Sequence, residues 1–461
     1  MGTENKKMKF TKHIILIAFL FAQLIVTAQS TKINSVQKQR GPGDFPELQF
    51  TDIPGASKLS APLLITGTEK PIISEGKGLA APAFYDWDGD GVKDLLIGEF
   101  SSGFEKGNNT GHYIRVFKNT ETNEKPVFTG NWQYARPPFE FLAKANGTPY
   151  SVDQYCCIGF TPQFIDLNND GKQDMITGTY YGEVMWFQGG DKGFLPGEEL
   201  LQAPSPWGMP RNRPNKSHQY YWLYSSASFG DFTEDGMPDL VVGGIMALRM
   251  SKNTGTADKP EFGPRELLLD IHGNPLKVHE FTKDELKNYE TAAELGYKPP
   301  LSGNDEVSPY VVDWDNDGTL DLLVTNTYIH KGLSTVDFFK GVQTKEGIRF
   351  QPAVPLFKAK NNSKAFPGMG PRVFTTDWND DGVNDLLVGI SVQTVRGEFN
   401  DQLSWNWEMD HGIRKDPAVF ELSGKKLEDF KKSVKLPDGI TIEDYMTIRH
   451  QGYVYIMLGK N

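Results

Sequence analysis

The sequence DWDGDGVKDLL, residues 86–96, places four aspartates and two glycines in a short span and then turns apolar. Four further segments repeat this order of residue types, and consecutive copies start 64 to 82 residues apart. Such internal repetition indicates an architecture built from copies of one structural unit. The five copies begin at Asp86, Asp166, Asp231, Asp313 and Asp377.

Alternate positions of each copy carry oxygen atoms that can surround a Ca²⁺ ion. Calcium takes six to eight oxygen ligands, and loop positions one, three, five, seven and nine can supply them when glycine at position six allows a sharp turn. Position one is Asp86, Asp166, Asp231, Asp313 or Asp377, and position three is Asp88, Asn168, Thr233, Asp315 or Asn379. Position five is Asp90, Asp170, Asp235, Asp317 or Asp381, and position nine is Asp94, Asp174, Asp239, Asp321 or Asp385. Position seven offers the carbonyl of Val92, Lys172, Met237, Thr319 or Val383. We therefore predict five calcium sites, the alternative being solvated acidic turns without metal.

The flanks of these loops are typical of strands rather than helices. A helix–loop–helix calcium sensor has a bidentate glutamate at position twelve. Here position twelve is Ile97, Thr177, Val242, Val324 or Val388. Short apolar runs rich in β-branched residues stand before and after each loop, so each loop is predicted to join two strands.

The five segments resemble the FG-GAP/VCBS-type repeats of integrin-like β-propellers. That family has a strand, the pattern D-x-D-x-D-G-x-x-D and an apolar strand ending in glycine, and the fourth copy departs from it with Thr325 in place of the glycine. The resemblance covers nearly all of the chain after the N-terminal segment. It implies an all-β, calcium-bearing β-propeller and says little about activity, because one fold hosts many functions.

The number of motifs favours five blades of four strands each. A seven-bladed ring would need two degenerate blades in the longer intervals. The segment from Gly452 resembles the third strand of a last blade that lacks a fourth. We expect the N-terminal stretch 45–67, with Leu63 and Leu64, to supply that strand and remove an open sheet edge. Residues 45–461 are then a single propeller domain.

The N-terminal residues predict export. Residues 1–28 contain a basic stretch, a short apolar run and small residues before Gln29, which is typical of a secretory signal peptide. Residues 29–44 are interpreted as a flexible segment. The apolar run is too short to span a bilayer and no later run is longer, so we expect an extracellular, periplasmic or cell-surface protein without a membrane span. The net charge of −11 argues against nucleic acid as a partner.

Two adjacent cysteines, Cys156 and Cys157, are the only ones in the chain. Export favours their oxidation. Neighbouring α-carbons are, however, closer than an ordinary disulfide prefers. A vicinal disulfide and a pair of free thiols both remain open.

Three insertions, 203–226, 278–305 and 391–451, are predicted on the face opposite the calcium loops. Binding residues concentrate in loops on a rigid scaffold, and aromatic rings provide flat apolar platforms with polar edges on which sugars can stack. The candidate ligand-binding residues are Trp207, Arg211, Arg213, His218, Tyr220, Tyr221, Trp222, Trp405, Trp407 and His411. We therefore expect an extracellular glycan or protein as the partner, unless these rings only pin the insertions to the blades.

An enzyme is the alternative function. A polysaccharide lyase or glycoside hydrolase could use histidine, tyrosine and arginine on the same face for proton transfer and anion stabilisation. The histidines expected there are His112, His218, His330, His411 and His450. No G-x-S-x-G motif, phosphate loop or closely spaced histidine pair supports a particular reaction, so the sequence leaves both catalysis and ligand identity open.

Overall fold

In the computed structural model, five sheets with four antiparallel strands each form the five blades of a β-propeller. The residues that the structure describes are 45–74, 79–100, 112–139, 148–152, 159–179, 182–200, 226–244, 248–278, 306–327, 334–361, 365–394, 402–403, 424–433, 441 and 449–460. The prediction of an all-β propeller with five blades is confirmed.

The strands follow the repeats in chain order. They are β1 (Leu48–Phe50), β2 (Leu63–Leu64), β3 (Ala81–Tyr85), β4 (Asp94–Gly98), β5 (Ile114–Phe117), β6 (Gln133–Tyr134), β7 (Gln163–Ile165), β8 (Asp174–Gly178), β9 (Val184–Phe187), β10 (Glu198–Glu199), β11 (Ser226–Gly230), β12 (Asp239–Gly243), β13 (Arg249–Ser251), β14 (Glu266–Leu267), β15 (Glu306–Val312), β16 (Asp321–Thr327), β17 (Thr335–Phe339), β18 (Gly341–Thr344), β19 (Gly347–Phe350), β20 (Val354–Pro355), β21 (Phe357–Ala359), β22 (Met369–Thr376), β23 (Asp385–Thr394), β24 (Gln402–Leu403) and β25 (Arg449–Met457). Blades one to three are β3–β6, β7–β10 and β11–β14; blade four is β15, β16, β17 and β20; blade five is β22, β23, β25 and β2.

The position of the second strand within each blade explains why its sequence is apolar. β4, β8 and β12 are buried at every residue. Neighbouring blades cover both faces of such a strand, which therefore needs a continuous apolar run instead of alternation. Each second strand pairs antiparallel with the first strand, and in blade one this pairing runs from Tyr85 with Asp94 to Ala81 with Gly98.

A glycine at the fifth residue of the second strand allows a neighbouring blade to come close. A β-carbon on Gly98 would lie 1.8 Å from the carbonyl oxygen of Phe160, and one on Gly389 would lie 1.9 Å from that of Ala80. Both carbonyls belong to the segment that enters the next blade. Blade four has the buried Thr325 instead, whose hydroxyl donates to the carbonyl of Ser308 at 3.4 Å.

Five clusters of buried apolar side chains hold the ring together, one in each interface between neighbouring blades. First-strand rings contribute to these contacts. Tyr85 of blade one stacks on Phe164 of blade two with centroids 4.2 Å apart, and Phe84 lies 4.5 Å from Trp378 of blade five. Because each blade contributes to two interfaces, no blade completes its core alone.

The N-terminal segment closes the ring, as predicted. Leu63 and Leu64 of β2 pair with Ile456 and Tyr455 of β25, so β2 is the fourth strand of blade five. The pairing continues on both sides, where the amide of Ile65 donates to Val454 at 2.9 Å and that of Lys58 to Lys460 at 3.0 Å. The open edge of the last blade is thereby covered.

Other elements lie outside the regular blades. β1 pairs with β21, which follows the last strand of blade four, rather than with blade five. The hairpin β18–β19 extends blade four, and β24 pairs with the end of β23. The helix α1 spans Gly424–Ser433. Among the described residues, no helix is both long and apolar enough to cross a membrane.

The blades have two ends with different connections. The acidic loops join first and second strands at one end. The strand ends that bracket the three predicted insertions (199 and 226, 267 and 306, 394 and 449) lie at the opposite end. β23 and β25 extend into the last of these segments, since they remain paired up to Thr394 and Arg449. The remainder of the three insertions lies outside the described residues.

Candidate metal centres

The five acidic loops share one backbone conformation. Positions four and six are both left-handed in every copy. The φ angles at position four are 72° for Gly89, 53° for Asn169, 57° for Glu234, 56° for Asn316 and 56° for Asp380, and at position six they range from 81° to 87°. A β-carbon on Gly318 or Gly382 would meet no atom within 4 Å, so position six requires glycine for its conformation rather than for space.

The aspartate at position one organises this turn. In loop four the amides of Asp317 and Gly318 donate to the two carboxylate oxygens of Asp313 at 3.1 and 3.0 Å. Loops two, three and five have the same pair of bonds. The aspartate at position five accepts from the amide of position seven, as Asp90 does from Val92 at 2.9 Å. These bonds aim the carboxylates toward the centre of the loop.

Several oxygens in the loops are buried without a hydrogen-bond partner. Among the described residues, these are Oδ1 of Asp86, Oδ1 of Asp88, Oγ1 of Thr233, Oδ1 of Asp315 and Oδ1 of Asn379. Four of the five belong to position three, in four different loops. A buried acceptor without a partner is destabilising by about 1–3 kcal/mol, and a bound cation would satisfy it. In loops one and four, the carboxylates of positions one, three and five also lie within 4.8 Å of one another. The residues present therefore fit a hard cation with oxygen ligands.

Two lysines contact the loops that contain three carboxylates at positions one, three and five. Lys118 forms ion pairs with Asp88 and, at 3.0 Å, with Asp90. Lys340 forms ion pairs with Asp315 and Asp317. Burial alone would lower the pKa of each lysine, but the hydrogen bonds and charges of the aspartates outweigh burial and raise it. Both ammonium groups therefore remain charged.

The aspartates at position nine have a role that the sequence did not predict. In every blade one oxygen accepts from the amide of position two at 2.9 to 3.2 Å. The other oxygen accepts from an amide just beyond the third strand at 2.6 to 2.8 Å. Burial raises the pKa of Asp94 to about 7 and that of Asp321 to about 6. Each position-nine aspartate thus ties the loop to the third strand, whether or not it also contacts metal.

One part of the fold matches a known family. Residues 166–242, from the second acidic loop to the second strand of blade three, match the FG-GAP-like repeat. This range includes the second and third acidic loops, and the other three loops have the same residue pattern and backbone. The chain is a five-bladed β-propeller that contains an FG-GAP-like repeat at residues 166–242. No curated protein matches it in sequence.

Solved structures resemble this propeller only distantly. An Agrocybe aegerita lectin, described as recognising non-reducing terminal N-acetylglucosamine, is 15% identical over 77% of this chain and 79% of its own, with a TM-score of 0.33. An endo-1,4-β-xylanase from Bacteroides thetaiotaomicron is 13% identical over 69% and 86%, with a TM-score of 0.37. The match to the Photorhabdus luminescens Tc holotoxin pore (13% identity, TM-score 0.32) covers 75% of the propeller chain and only 15% of the holotoxin chain. These similarities are too low to carry an argument about function.

Position two of each loop of the propeller is a further residue that the sequence analysis missed. It is buried and belongs to the apolar cluster between its own blade and the next. The residues are Trp87, Leu167, Phe232, Trp314 and Trp378. A large apolar residue between two polar loop positions is the signal that could have identified them. Each loop therefore stabilises a blade interface as well as its own turn.

The predicted ligand-binding residues of the propeller lie outside the described residues. They are Trp207, Arg211, Arg213, His218, Tyr220, Tyr221, Trp222, Trp405, Trp407 and His411, and Cys156 and Cys157 lie outside as well. His112 is the one predicted upper-face histidine whose side chain is described. It is only 1% exposed and lies 5.2 Å from the ring of Phe100. This position is typical of a structural histidine.

Proposed function

We propose that the protein is an exported, calcium-stabilised β-propeller that binds an extracellular glycan or protein partner at the end of its blades opposite the acidic loops. The observation that carries the calcium assignment is the set of buried loop oxygens without partners, most of them at position three. The sites contain seventeen carboxylates in five short loops. At neutral pH these carboxylates repel one another, and Ca²⁺ would reduce that repulsion.

The loop residues have distinct parts in holding the ion. Position one is oriented by backbone amides, and in four of the five loops position three offers an oxygen that has no other partner among the described residues. Position five, the carbonyl of position seven and the remaining lone pairs of position nine complete the proposed ligand set. Bound calcium supplies charge neutralisation and a cross-link within each loop. Because the side chain at position two packs in the interface with the next blade, ordering the loop also stabilises the contact between the two blades.

Removal of calcium tests this assignment. We expect a chelator to lower the melting temperature and added calcium to restore it, since binding to the folded state contributes about 3 kcal/mol per site at a hundred times Kd. Replacing Asp86 and Asp90 with Asn should remove one calcium from the stoichiometry measured by elemental analysis. Asp258→Asn, which changes an exposed aspartate outside the loops, should leave it unchanged. Identical melting curves with and without chelator, together with no bound calcium, would reject the assignment.

Partner binding is supported by the residue types of the segments that connect the opposite strand ends. Two of those segments contain clusters of tryptophan, tyrosine, arginine and histidine. Aromatic rings with polar neighbours suit sugar rings or a protein surface. The N-terminal signal-like sequence supports a location where such partners occur.

Replacing Trp405 and Trp407 with Ala tests the binding surface. The two residues alternate along the chain, so in an extended segment they would share one face. We expect binding to a glycan identified on an array to weaken by about 1–3 kcal/mol with little loss of stability. Trp132→Ala is the matched control, because Trp132 is an exposed tryptophan of blade one.

The outcome separates three interpretations. A double variant that is strongly destabilised, but whose remaining folded fraction binds every ligand as the wild type does, would show that the rings only pack. The binding site would then be sought near Arg211, Arg213, His218 and Tyr221. Release of shortened or unsaturated sugars from the same glycans would favour a hydrolase or lyase over a binding protein.

A further inference from the structure

Two of the five acidic loops form ion pairs with a lysine that lies just after the third strand of the same blade. Lys118 follows β5 by one residue and Lys340 follows β17 by one residue, so the two lysines occupy the same place in blades one and four. Each contacts the carboxylates of positions three and five of its own loop. Both side chains are partly exposed, 37% for Lys118 and 29% for Lys340, so they have solvent on one side into which they can move.

The lysine contacts occur where position three is a third carboxylate. Loops one and four have Asp88 and Asp315 at position three, whereas the other loops have Asn168, Thr233 and Asn379. The residues that correspond to the lysines in blades two, three and five are Gln188, Lys252 and Leu458. Within the described part of the chain, none of these three forms an ion pair with its loop. With the lysine counted, loops one and four have the same net charge at positions one, three and five as the other loops.

The ion pair with the lysine leaves one oxygen of the position-three aspartate available to a metal ion. In loop four, Oδ1 of Asp315 is buried and has no partner within the described residues, while the ammonium of Lys340 bonds to Oδ2. The side chain of Asp315 is only 3% exposed. Calcium needs the carboxylates of positions three and five, which are the two that the ammonium holds. Two cations on the same carboxylates repel each other strongly at these distances.

We propose that Lys118 and Lys340 are internal counter-ions that compete with calcium in loops one and four. This inference rests on the proposed function, namely that the loops bind calcium. When calcium is scarce, the lysine neutralises part of the charge of loops one and four. These loops bind calcium only when the lysine side chain moves into solvent. Among the described residues, no lysine contacts the carboxylates of loops two, three and five in this way, so these loops depend on the metal. The propeller consequently has two classes of calcium site.

Calorimetric titration of the full-length, metal-free chain with calcium tests the proposal. Lys118→Met and Lys340→Met keep the length of the side chain and remove its charge. We expect each to increase the affinity of one site by about tenfold. In chelator the same variants should melt about 1–3 °C lower than the wild type, because the carboxylates lose their counter-ion. In saturating calcium this deficit should disappear. Lys252→Met, at the same place in blade three, should change neither quantity.

The results of the titration distinguish failure of the lysine competition from failure of calcium binding itself. A wild-type chain without bound calcium overturns the proposed function and this inference with it. If the wild type binds calcium but the two Met variants bind it equally well or more weakly, only the competition is overturned, and weaker binding would show that the lysines orient the carboxylates for the metal. If the Met variants do not fold in chelator, Lys340→Arg gives the complementary test. It retains the charge and should retain the wild-type affinity, and a tenfold gain there would overturn the proposal.

Discussion

Asp337 is a buried carboxylate that belongs to none of the five acidic loops. It lies in β17, the third strand of blade four, and is 4% exposed. Burial raises its pKa from the ordinary value of 3.8 to about 7, although Thr335 and the charge of Lys358 both act to lower the pKa. Among the described residues, its Oδ2 has no hydrogen-bond partner. The folded chain therefore favours the protonated form of this side chain.

We expect Asp337 to make stability fall as pH rises. Its folded pKa lies above the unfolded value, so its contribution is fully present below about pH 4 and is lost as pH increases through about 7. Asp337→Asn resembles the neutral form. At pH 8 to 9 the variant should be more stable than the wild type by about 2–4 kcal/mol in urea unfolding, and at low pH the difference should vanish.

The control for this measurement is Asp258→Asn. Asp258 is exposed, and the hydroxyl of Thr256 lowers its pKa, so its replacement should give no gain at high pH. An Asp337→Asn variant whose stability follows the wild type at every pH would contradict the assignment. Nothing in the local sequence TVDFF distinguishes Asp337 from an exposed strand residue, although the side chain is buried in the folded chain.

At the scale of elements, the strand–loop–strand unit could be predicted because its information is local. Aspartates at alternate positions, glycine at position six and an apolar run all lie within fifteen residues of one another. The same information repeated five times also predicted the number of blades. The fourth strand of blade five was predictable because the repeat unit at the C-terminal end was visibly incomplete.

Contacts without fixed sequence spacing could not be predicted in the same way. The amide that binds the position-nine aspartate lies 25, 15, 14, 20 and 74 residues beyond it in blades one to five. No periodicity connects such distances, so position nine was interpreted only as a metal ligand. The pairing of β1 with β21 was missed for the same reason, since Leu48 and Ala359 belong to opposite halves of the chain.

The lysine contacts were also invisible in the sequence. Lys118 and Lys340 lie 28 and 23 residues from the position-five aspartates that they contact. Lys252 has the equivalent place in blade three but contacts no loop carboxylate among the described residues. A lysine after the third strand is therefore not sufficient to predict the ion pair. The third carboxylate at position three is the feature that distinguishes blades one and four.

At the scale of the whole molecule, ring closure depends on the segment that contains β1 and β2. Deleting residues 45–67 removes the β2–β25 pairing and three buried apolar side chains, Phe45, Leu48 and Ile65. At about 1.5–3 kcal/mol for each side chain, we expect a loss of more than about 5 kcal/mol in the free energy of unfolding. Chemical denaturation of the truncated chain measures this loss.

The matched control removes residues 29–44, which were predicted to be a flexible segment. This deletion should leave the unfolding midpoint unchanged. The closure mechanism fails if the chain without 45–67 unfolds at the wild-type midpoint, because blade five would then be stable with an exposed edge.

Closure of the ring by β2 also determines the order in which the parts of the chain can dock during synthesis. Ser60 and Leu458, which bond at the end of the closing strand, are 398 residues apart. At about 5–20 residues per second, a ribosome needs roughly 20–80 s to make the chain between them. During that interval the blades can assemble one after another, but β2 has no partner. A strand of two residues is a poor template for incorrect pairing, so the segment that is synthesised before every blade can wait and become the last one to dock.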